Sequence, residues 1–121
     1  MDRKETGILG EKLAVGLLKK RGYRIIETNY RCKEGEIDIV ARQKDCLVFV
    51  EVRTKTSLAF GTPAESITWA KQARMRRAAR RYVQTHDKIP ELWRIDFVGV
   101  ELDERGKAKR IDIIESAVGE G

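Results

Sequence analysis

Two runs of β-forming residues with a short polar connection constrain this chain more than any other feature. Residues 35–41 and 47–55 are rich in β-branched side chains, and residues 42–46 between them are mostly polar. This pattern predicts an antiparallel hairpin whose tight connection is centred on Lys44 and Asp45. Such a hairpin commits the middle of the chain to a β-sheet.

The predicted register brings charged side chains together on the hairpin. It places Asp38 opposite Glu51, and the Cβ atoms of such a facing pair lie about 5 Å apart. It also places Glu36 opposite Arg53. Because side chains alternate between the faces of a strand, Glu51 shares its face with Arg53 and Lys55. Two carboxylates at that separation repel each other unless a positive charge lies between them. The arrangement therefore favours a divalent-metal site with a basic neighbour, which points towards phosphodiester chemistry.

A second interpretation of these acids stays open at this point. Charged residues on a strand often mark its solvent face, and an acid opposite an arginine is an ordinary cross-strand pair. Against this, Glu51 follows the apolar run of residues 47–50, which is typical of a strand covered on both faces. A carboxylate in such a strand is costly to bury without a partner. A working site is therefore the preferred interpretation.

The composition indicates one globular domain. Of 121 residues, 41% are hydrophobic and 36% are charged, and we expect residues 1–121 to form a single domain with a flexible tail at the last few positions. No apolar run reaches the roughly 18 residues of a membrane span, and the charged N-terminus does not resemble a signal peptide. Cys32 and Cys46 match neither a zinc motif nor a disulfide framework. These features predict a cytoplasmic protein with reduced thiols and no membrane partner.

Positive charge exceeds negative charge and is concentrated in one segment. Lys and Arg total 25 against 19 Asp and Glu, which gives a net charge of +6. The excess lies in residues 71–81. This balance is compatible with a polyanionic partner, although many basic proteins bind no nucleic acid.

The order of the predicted elements is helix, three strands, helix and one or two strands. This order fits an α/β fold with a mixed central sheet and a helix packed on each side. The first helix stops at Gly22, a typical C-terminal residue, and Asp96 is expected to pair within the sheet. The predicted ranges are a helix at 4–21, a strand at 23–31, the hairpin strands at 35–41 and 47–55, a loop at 60–63, a helix from Ala64 or Thr68 to Thr85, a strand at 92–102, a turn at 103–106 and an edge strand at 110–115.

One glutamate lies on the apolar side of the first predicted helix. At about 100° per residue, Glu11 falls between Val15 and Leu18, away from the charged cluster of the same helix. An inward carboxylate there can supply a third ligand to a metal held by the hairpin. Equally, its stem can pack while its head reaches solvent at the helix edge. Position alone does not separate these two interpretations.

The second helix has an apolar side and a basic side. Five arginines with no acid among them lie opposite the apolar residues, and the guanidinium fork suits phosphate. This side is therefore a candidate contact surface for nucleic acid, although most charge runs are merely solvated. Lys71 is the exception, because it falls on the apolar side; it either reaches a phosphate at the hairpin or extends to solvent. The apolar residues are Met75, Ala78, Ala79, Tyr82 and Val83, and the arginines are Arg74, Arg76, Arg77, Arg80 and Arg81.

Five short motifs follow one another in a recognisable order: GEKLA at 10–14, NYR at 29–31, GEID at 35–38, FVEVR at 49–53 and FGTPAE at 60–65. Together they resemble the YraN family, which is regarded as endonuclease-like and distantly similar to archaeal Holliday junction resolvases. Each motif is weak alone, but their order is specific, and the match continues through residues 94–98. The resemblance implies the restriction-endonuclease-like, PD-(D/E)xK fold.

The resemblance also implies roles for individual residues. Asp38 matches the single aspartate of that fold, Glu51 its second acidic residue, and Glu11 the helical glutamate of resolvase-like members. The position of the fold's lysine holds Arg53 instead. Arginine stays protonated, so Arg53 can stabilise negative charge in a transition state but cannot accept a proton. Lys55, one pleat further along the strand, is either a substitute for that lysine or a surface residue.

These observations predict a Mg²⁺-dependent or Mn²⁺-dependent, endonuclease-like protein that binds nucleic acid, with DNA as the expected partner and branched DNA as one candidate substrate. Two alternatives remain: a non-catalytic nucleic-acid-binding module on the same fold, and a protein-interaction factor that uses the basic helix. Resolvase-like cutting of two strands would favour a homodimer. Glu36 is expected to be a structural partner of Arg53. The predicted residues are Asp38, Glu51, Arg53 and Lys55 for catalysis, Glu11, Asp38 and Glu51 for metal binding, and Lys71, Arg74, Arg77, Arg81 and Arg31 for nucleic-acid binding.

Overall fold

A mixed sheet of five strands lies between two α-helices in the part of the chain that the structure describes. The computed structural model describes residues 1–57, 59 and 61–118, with side chains up to residue 115. The predicted C-terminal tail and Phe60 of the predicted loop lie outside these residues. In chain order the elements are α1 (Arg3–Lys20), β1 (Arg24–Cys32), β2 (Gly35–Gln43), β3 (Cys46–Lys55), a 3-10 helix (Ala64–Ser66), α2 (Trp69–Thr85), β4 (Leu92–Leu102) and β5 (Ala108–Val118).

The strands lie in the order β1-β2-β3-β4-β5 across the sheet. Strands β3 and β4 are parallel, and the other neighbouring pairs are antiparallel. A parallel pair needs a long crossover, and α2 lies within it. The edge strand β5 is longer than the predicted range of 110–115, because its pairing with β4 continues as far as Val118 opposite Ile95. The expected mixed α/β sheet is confirmed.

Local signals set the ends of both helices. The Asp2 carboxylate accepts a hydrogen bond from the Glu5 N–H at 2.8 Å, and the Glu5 side chain accepts from the Asp2 N–H in return. Helix α1 ends before Gly22, which takes a φ of +87°. Helix α2 begins after Thr68, whose hydroxyl accepts from the Lys71 N–H. The alternative α-helix start at Ala64 is wrong, because that residue begins a separate 3-10 turn.

Each helix covers one face of the sheet. Ala14 and Leu18 of α1 pack in one core cluster with Val48 and Val50 of β3. On the other face, the α2 side chains pack with the alternate β3 residues. This second cluster includes Met75, Ala78, Ala79 and Tyr82 from α2 and Leu47 and Phe49 from β3. The strand β3 is therefore covered on both faces, as its apolar run predicts. None of the described helices has the length and apolar content needed to cross a bilayer.

Candidate functional site

The two hairpin strands diverge at the candidate site. Their backbone pairing follows the predicted register from Gln43 opposite Cys46 to Ile39 opposite Val50, and it ends there. Beyond this point the described part of β2 pairs with β1, and that of β3 pairs with β4. We call the opening between the diverging strands the fork; its charged residues are Asp38, Glu51 and Arg53.

A side-chain hydrogen bond replaces the next step of the strand ladder. The Val52 N–H of β3 donates to Oδ2 of Asp38 at 2.8 Å, across the position where β2 and β3 separate. Asp38 and Glu51 thus lie one residue beyond the last backbone pair, Ile39 and Val50, rather than forming a ladder pair themselves. The fork holds the Asp38 carboxylate in place by bonding one of its oxygens to the opposite strand.

The two fork carboxylates disfavour each other's ionisation. Burial raises the pKa of Asp38 to about 6 despite the hydrogen bond from Val52 and the charge of Arg53, and the charge of Glu11 adds to the rise. Burial, together with the charge of Asp38, raises the pKa of Glu51 to about 7. A cation between them would relieve both the burial of negative charge and the mutual repulsion.

Arg53 lies within the fork but leaves one donor unsatisfied. Its Nη2 is 3.1 Å from Oε1 of Glu51, whereas its buried Nε has no hydrogen-bond partner among the described residues. The predicted pairing of Glu36 with Arg53 is wrong, because the strands diverge before they reach it. Instead, Oε2 of Glu36 lies 3.7 Å from Nε of Arg31 on β1. A buried donor without an acceptor is costly, so Arg53 is held in the fork in an energetically unfavourable setting.

Glu11 is brought to the edge of the fork from α1. It is half-buried, and the side-chain amide of Asn29 donates to its Oε1 at 2.9 Å. The helix approaches β3 closely at Gly10, where a Cβ atom would lie 1.8 Å from Oγ1 of Thr54. Glu11 lines a cleft of about 580 Å³ together with Asn29 and Asp38. This placement agrees with an inward-facing carboxylate near Asp38.

The three predicted metal ligands do not form a closed cage. No group of three or more Asp, Glu, His or Cys side chains in the described residues has an arrangement that could hold a metal ion. The charge of Asp38 acts on Glu51, and the charge of Glu11 acts on Asp38. Carboxylate oxygens are nevertheless the ligands that Mg²⁺ and Mn²⁺ prefer, and Mg²⁺ is often bound through one or two carboxylates plus substrate phosphate. The donor chemistry of the fork fits such an ion.

A basic cleft adjoins the fork on the side of the α1 N-terminus. Its volume is about 690 Å³, and its cationic lining residues are Arg3, Arg53, Lys55 and Lys71. The Lys71 ammonium donates to the Ser66 carbonyl at 3.4 Å. Burial and the neighbouring charge of Arg53 lower the pKa of Lys71. The structure therefore places Lys55 and Lys71 beside Arg53, in a position suited to phosphate.

The predicted nucleic-acid contacts fall into two groups. Arg74 joins Lys71 in lining a small cavity at the fork, whereas Arg77 is exposed further along α2. Arg81 is engaged elsewhere: its Nε and Nη2 donate to the two carboxylate oxygens of Glu34 at 2.9 and 2.7 Å. The sequence of α2 contains no acid and therefore did not predict this ion pair. Glu34 lies in the turn between β1 and β2. Arg31 is exposed and lies beside Glu36.

Sequence reasoning gave no role to two residues of this region. Asn29 holds Glu11, and its φ of +56° is a conformation that asparagine tolerates better than most residues. Arg3 lines the basic cleft from the first turn of α1. A cation at a helix N-terminus interacts unfavourably with the helix dipole. The position of Arg3 in the sequence could therefore have indicated a role other than helix stability.

Comparison with known proteins covers nearly the whole chain. Residues 10–115 match the model of a family described as "Uncharacterised protein family UPF0102". A UPF0102 protein of Dehalococcoides mccartyi is 50% identical over 98% of this chain and 97% of its own length. UPF0102 proteins of Caldicellulosiruptor saccharolyticus and Moorella thermoacetica are 42% and 44% identical, each over 97% of this chain and over 99% and 98% of their own lengths. The matched segment contains every fork residue and Glu11.

Proposed function

The chain belongs to the UPF0102 family, and we propose that this member is a Mg²⁺-dependent, nuclease-like protein that hydrolyses phosphodiester bonds in DNA, with branched DNA as one candidate substrate. The observation that carries the proposal is the fork. It holds two half-buried carboxylates with raised pKa values next to an arginine with an unsatisfied donor. Perturbed acids in a cleft are more typical of working sites than of structural pairs.

The strand order supports the same proposal. The two acids lie on neighbouring antiparallel strands, and a helix contributes Glu11 from the adjoining face. This is the arrangement that the resemblance to the endonuclease-like YraN family and the PD-(D/E)xK fold implies. The adjoining cleft, with Arg3, Lys55 and Lys71, suits the backbone of the same substrate.

The side chains of the fork have complementary tasks in this proposal. Asp38 and Glu51 would hold Mg²⁺, which would supply neutralisation of phosphate charge and acidification of a water molecule. Hydrolysis joins a water oxygen to phosphorus and breaks one P–O ester bond, and negative charge accumulates on the phosphoryl oxygens on the way. Arg53 and Lys71, which both line the basic cleft, stabilise that charge. Glu11, held by Asn29, adds negative charge beside Asp38.

Cleavage assays with isosteric variants test the proposal. We expect Asp38→Asn and Glu51→Gln to lower Mg²⁺-dependent cleavage of branched, flapped or duplex DNA by at least about 100-fold, because each removes a ligand charge. Asp112→Asn is the matched control, since Asp112 is an exposed acid on β5 that pairs with Arg110. Equal cleavage by wild type and Asp38→Asn would show that the assigned site is wrong.

The Arg53–Glu51 ion pair favours a second candidate, a non-catalytic nucleic-acid-binding module. At 3.1 Å the guanidinium already neutralises part of the Glu51 charge that a metal would otherwise meet. In that case DNA binding survives Asp38→Asn, depends strongly on salt and is not accompanied by turnover. Arg53→Lys separates the candidates, because a gain of cleavage would indicate a decayed active site.

A homodimer stays a prediction that follows from the proposed substrate. Cutting both strands of branched DNA in one encounter requires two sites, and a symmetric dimer supplies them. Sedimentation of the protein with and without a four-way DNA junction would measure this. A monomer in both conditions would restrict the activity to single nicks.

A further inference from the structure

Trp69 is an unusually exposed aromatic side chain. It is the first residue of α2, and 77% of its surface is open to solvent. A tryptophan offers a large flat apolar ring, and leaving it in water forgoes more burial than any other side chain would. The α2 side chains that pack against the sheet, such as Met75 and Tyr82, lie on the opposite side of the helix from Trp69. Trp69 thus contributes nothing to the core.

Arginines surround this ring on the outer side of the helix. The guanidinium carbon of Arg76, two turns along, lies 5.6 Å from the centroid of the Trp69 ring, which is a cation–π distance. Arg80 continues the same stripe, and Arg77 lies next to it. Neither Arg77 nor Arg80 forms an ion pair within the described ranges. We call Trp69, Arg76, Arg77 and Arg80 the outer stripe.

The outer stripe combines the two features that single-stranded nucleic acid recognises. Exposed guanidinium groups attract a polyanionic backbone, and an exposed indole offers a plane on which an unpaired base can stack. A base in a duplex is already stacked on both sides, so it has no face to offer. An acidic peptide would use the charges but has no need of the flat ring. The exposed hydrophobic residue Leu92, in contrast, lies at the start of β4 and not on α2.

We propose that Trp69 and Arg76 form a stacking platform for an unpaired base of a single-stranded or flapped nucleic acid. Lys71, in the first turn of the same helix but on its inner side, lines the basic cleft beside the fork, so a strand that crosses the start of α2 can reach both the platform and the cleft. The platform narrows the proposed partner to nucleic acid with unpaired bases. This inference rests on the nucleic-acid-binding part of the proposed function and is independent of hydrolysis.

Tryptophan fluorescence provides the test, because the chain contains two tryptophans. In the full-length Trp93→Phe variant, Trp69 is the only indole. We expect oligothymidylate to quench its emission, whereas a blunt duplex of equal charge leaves it nearly unchanged. Trp69→Ala should weaken oligothymidylate binding by about 5-fold to 100-fold, as loss of one stacked base does, and leave duplex binding unchanged. Trp69→Phe should retain most of the affinity, and Leu92→Ala is the matched control for loss of an exposed apolar side chain.

Two further measurements, the salt dependence of binding and quenching by polyglutamate, distinguish base stacking from purely electrostatic binding. Phosphate contacts weaken as salt rises, but the fold-loss caused by Trp69→Ala should stay constant, because stacking releases no counterions. Binding of oligothymidylate without quenching, or with equal affinity in Trp69→Ala, would overturn the platform while leaving the fork untouched. Equal quenching by polyglutamate would assign the outer stripe to an acidic protein. Absence of binding to either oligonucleotide would overturn both the platform and the nucleic-acid partner.

Discussion

The sheet carries one buried and one half-buried cluster of acid and arginine, and the two differ in whether their hydrogen bonds are complete. In the first, Asp96 is fully buried: Nε of Arg94 donates to its Oδ1 at 2.9 Å, and the Tyr23 hydroxyl donates to its Oδ2 at 3.0 Å. In the second, the fork, two carboxylates crowd one arginine whose Nε has no partner among the described residues. The first cluster is closed, and the second has room for a ligand.

This difference shows that burial of charge does not by itself identify a functional site. The Asp96 cluster pairs one buried acid with one arginine and two further polar groups, and Arg94 also lies 4.0 Å from the exposed Glu115, so the buried charges balance within the protein. The fork has two acids against one arginine, with Glu11 nearby, so its charges do not balance. Carboxylates that repel each other destabilise the folded protein, and a cation that binds between them removes this repulsion. Substitutions in the two clusters should therefore have opposite effects on stability.

Opening the closed cluster should have the largest effect. Asp96→Ala leaves the guanidinium of Arg94 in a buried setting without its acid, and we expect a loss of about 3–5 kcal/mol in the free energy of unfolding. Urea denaturation measures it. Asp112→Ala is the matched control, because Arg110 and Asp112 repeat the same Arg-Ile-Asp sequence with Asp112 49% exposed at its side chain. The control should lose under about 1 kcal/mol, and equal losses would contradict the contrast.

Moving α1 away from the fork should have the next largest effect. A Cβ on Gly10 would lie 1.8 Å from Oγ1 and 2.9 Å from Cβ of Thr54, so Gly10→Ala forces the helix or the strand to shift. We expect a loss of about 1–3 kcal/mol in thermal or urea unfolding and weaker Mn²⁺ binding, since Glu11 moves with the helix. Gly16→Ala, where nothing lies within 4 Å, should instead stabilise α1 by up to about 1 kcal/mol.

Neutralising one acid of the fork should stabilise the protein, the reverse of the Asp96 result. The pKa of Asp38 is raised from 3.8 to about 6, so the folded state binds its proton more tightly than the unfolded state does. The wild type therefore loses stability as pH rises through this window, and Asp38→Asn avoids that loss. We expect a gain of about 1–2 kcal/mol at pH 8 that disappears below about pH 4. A gain of equal size at both pH values would exclude this cause.

A bound divalent metal should offset the loss of stability that ionisation of Asp38 causes. Millimolar Mg²⁺ or Mn²⁺ at pH 8 should raise the unfolding midpoint of the wild type and have little effect on Asp38→Asn, because a ligand that binds the folded state stabilises it. If both proteins respond equally, the metal binds somewhere other than the fork.

Releasing Glu11 should have the smallest effect on stability. Asn29→Gly keeps the φ of +56° accessible but removes the hydrogen bond to Glu11, so we expect a loss of about 1 kcal/mol or less. Mn²⁺ affinity, measured by titration calorimetry, should fall by roughly 10-fold if Asn29 orients a ligand. Lys88→Gly changes another positive-φ residue, at +57°, and should leave metal binding unchanged.

The sequence predicted the fold well where periodic patterns had one physical solution. The apolar side of α2, the inner residues of β3 and the register of the hairpin up to Ile39 and Val50 all follow from periodicity and turn length. The error began where the strands diverge. Glu36 was assigned to Arg53 by extending the register, and the divergence of β2 and β3 turned it towards Arg31 instead. Arg81 likewise found its acid, Glu34, in a turn remote in sequence.

The Arg-Ile-Asp sequence occurs twice, at residues 94–96 and 110–112. The two copies separate what local sequence determines from what tertiary packing determines. By itself this sequence determines that arginine and aspartate share one face of a strand two residues apart, and both copies form that ion pair. The packing of distant segments places the first copy in the interior strand β4, where Asp96 accepts from Tyr23, and the second copy on the edge strand β5 in solvent. In the same way, the amino-acid sequence determined which acids and cations the hairpin carries. The divergence of β2 from β3, together with the approach of α1 at Gly10, decided which charges meet, because contacts between distant segments depend on packing and not on local pattern.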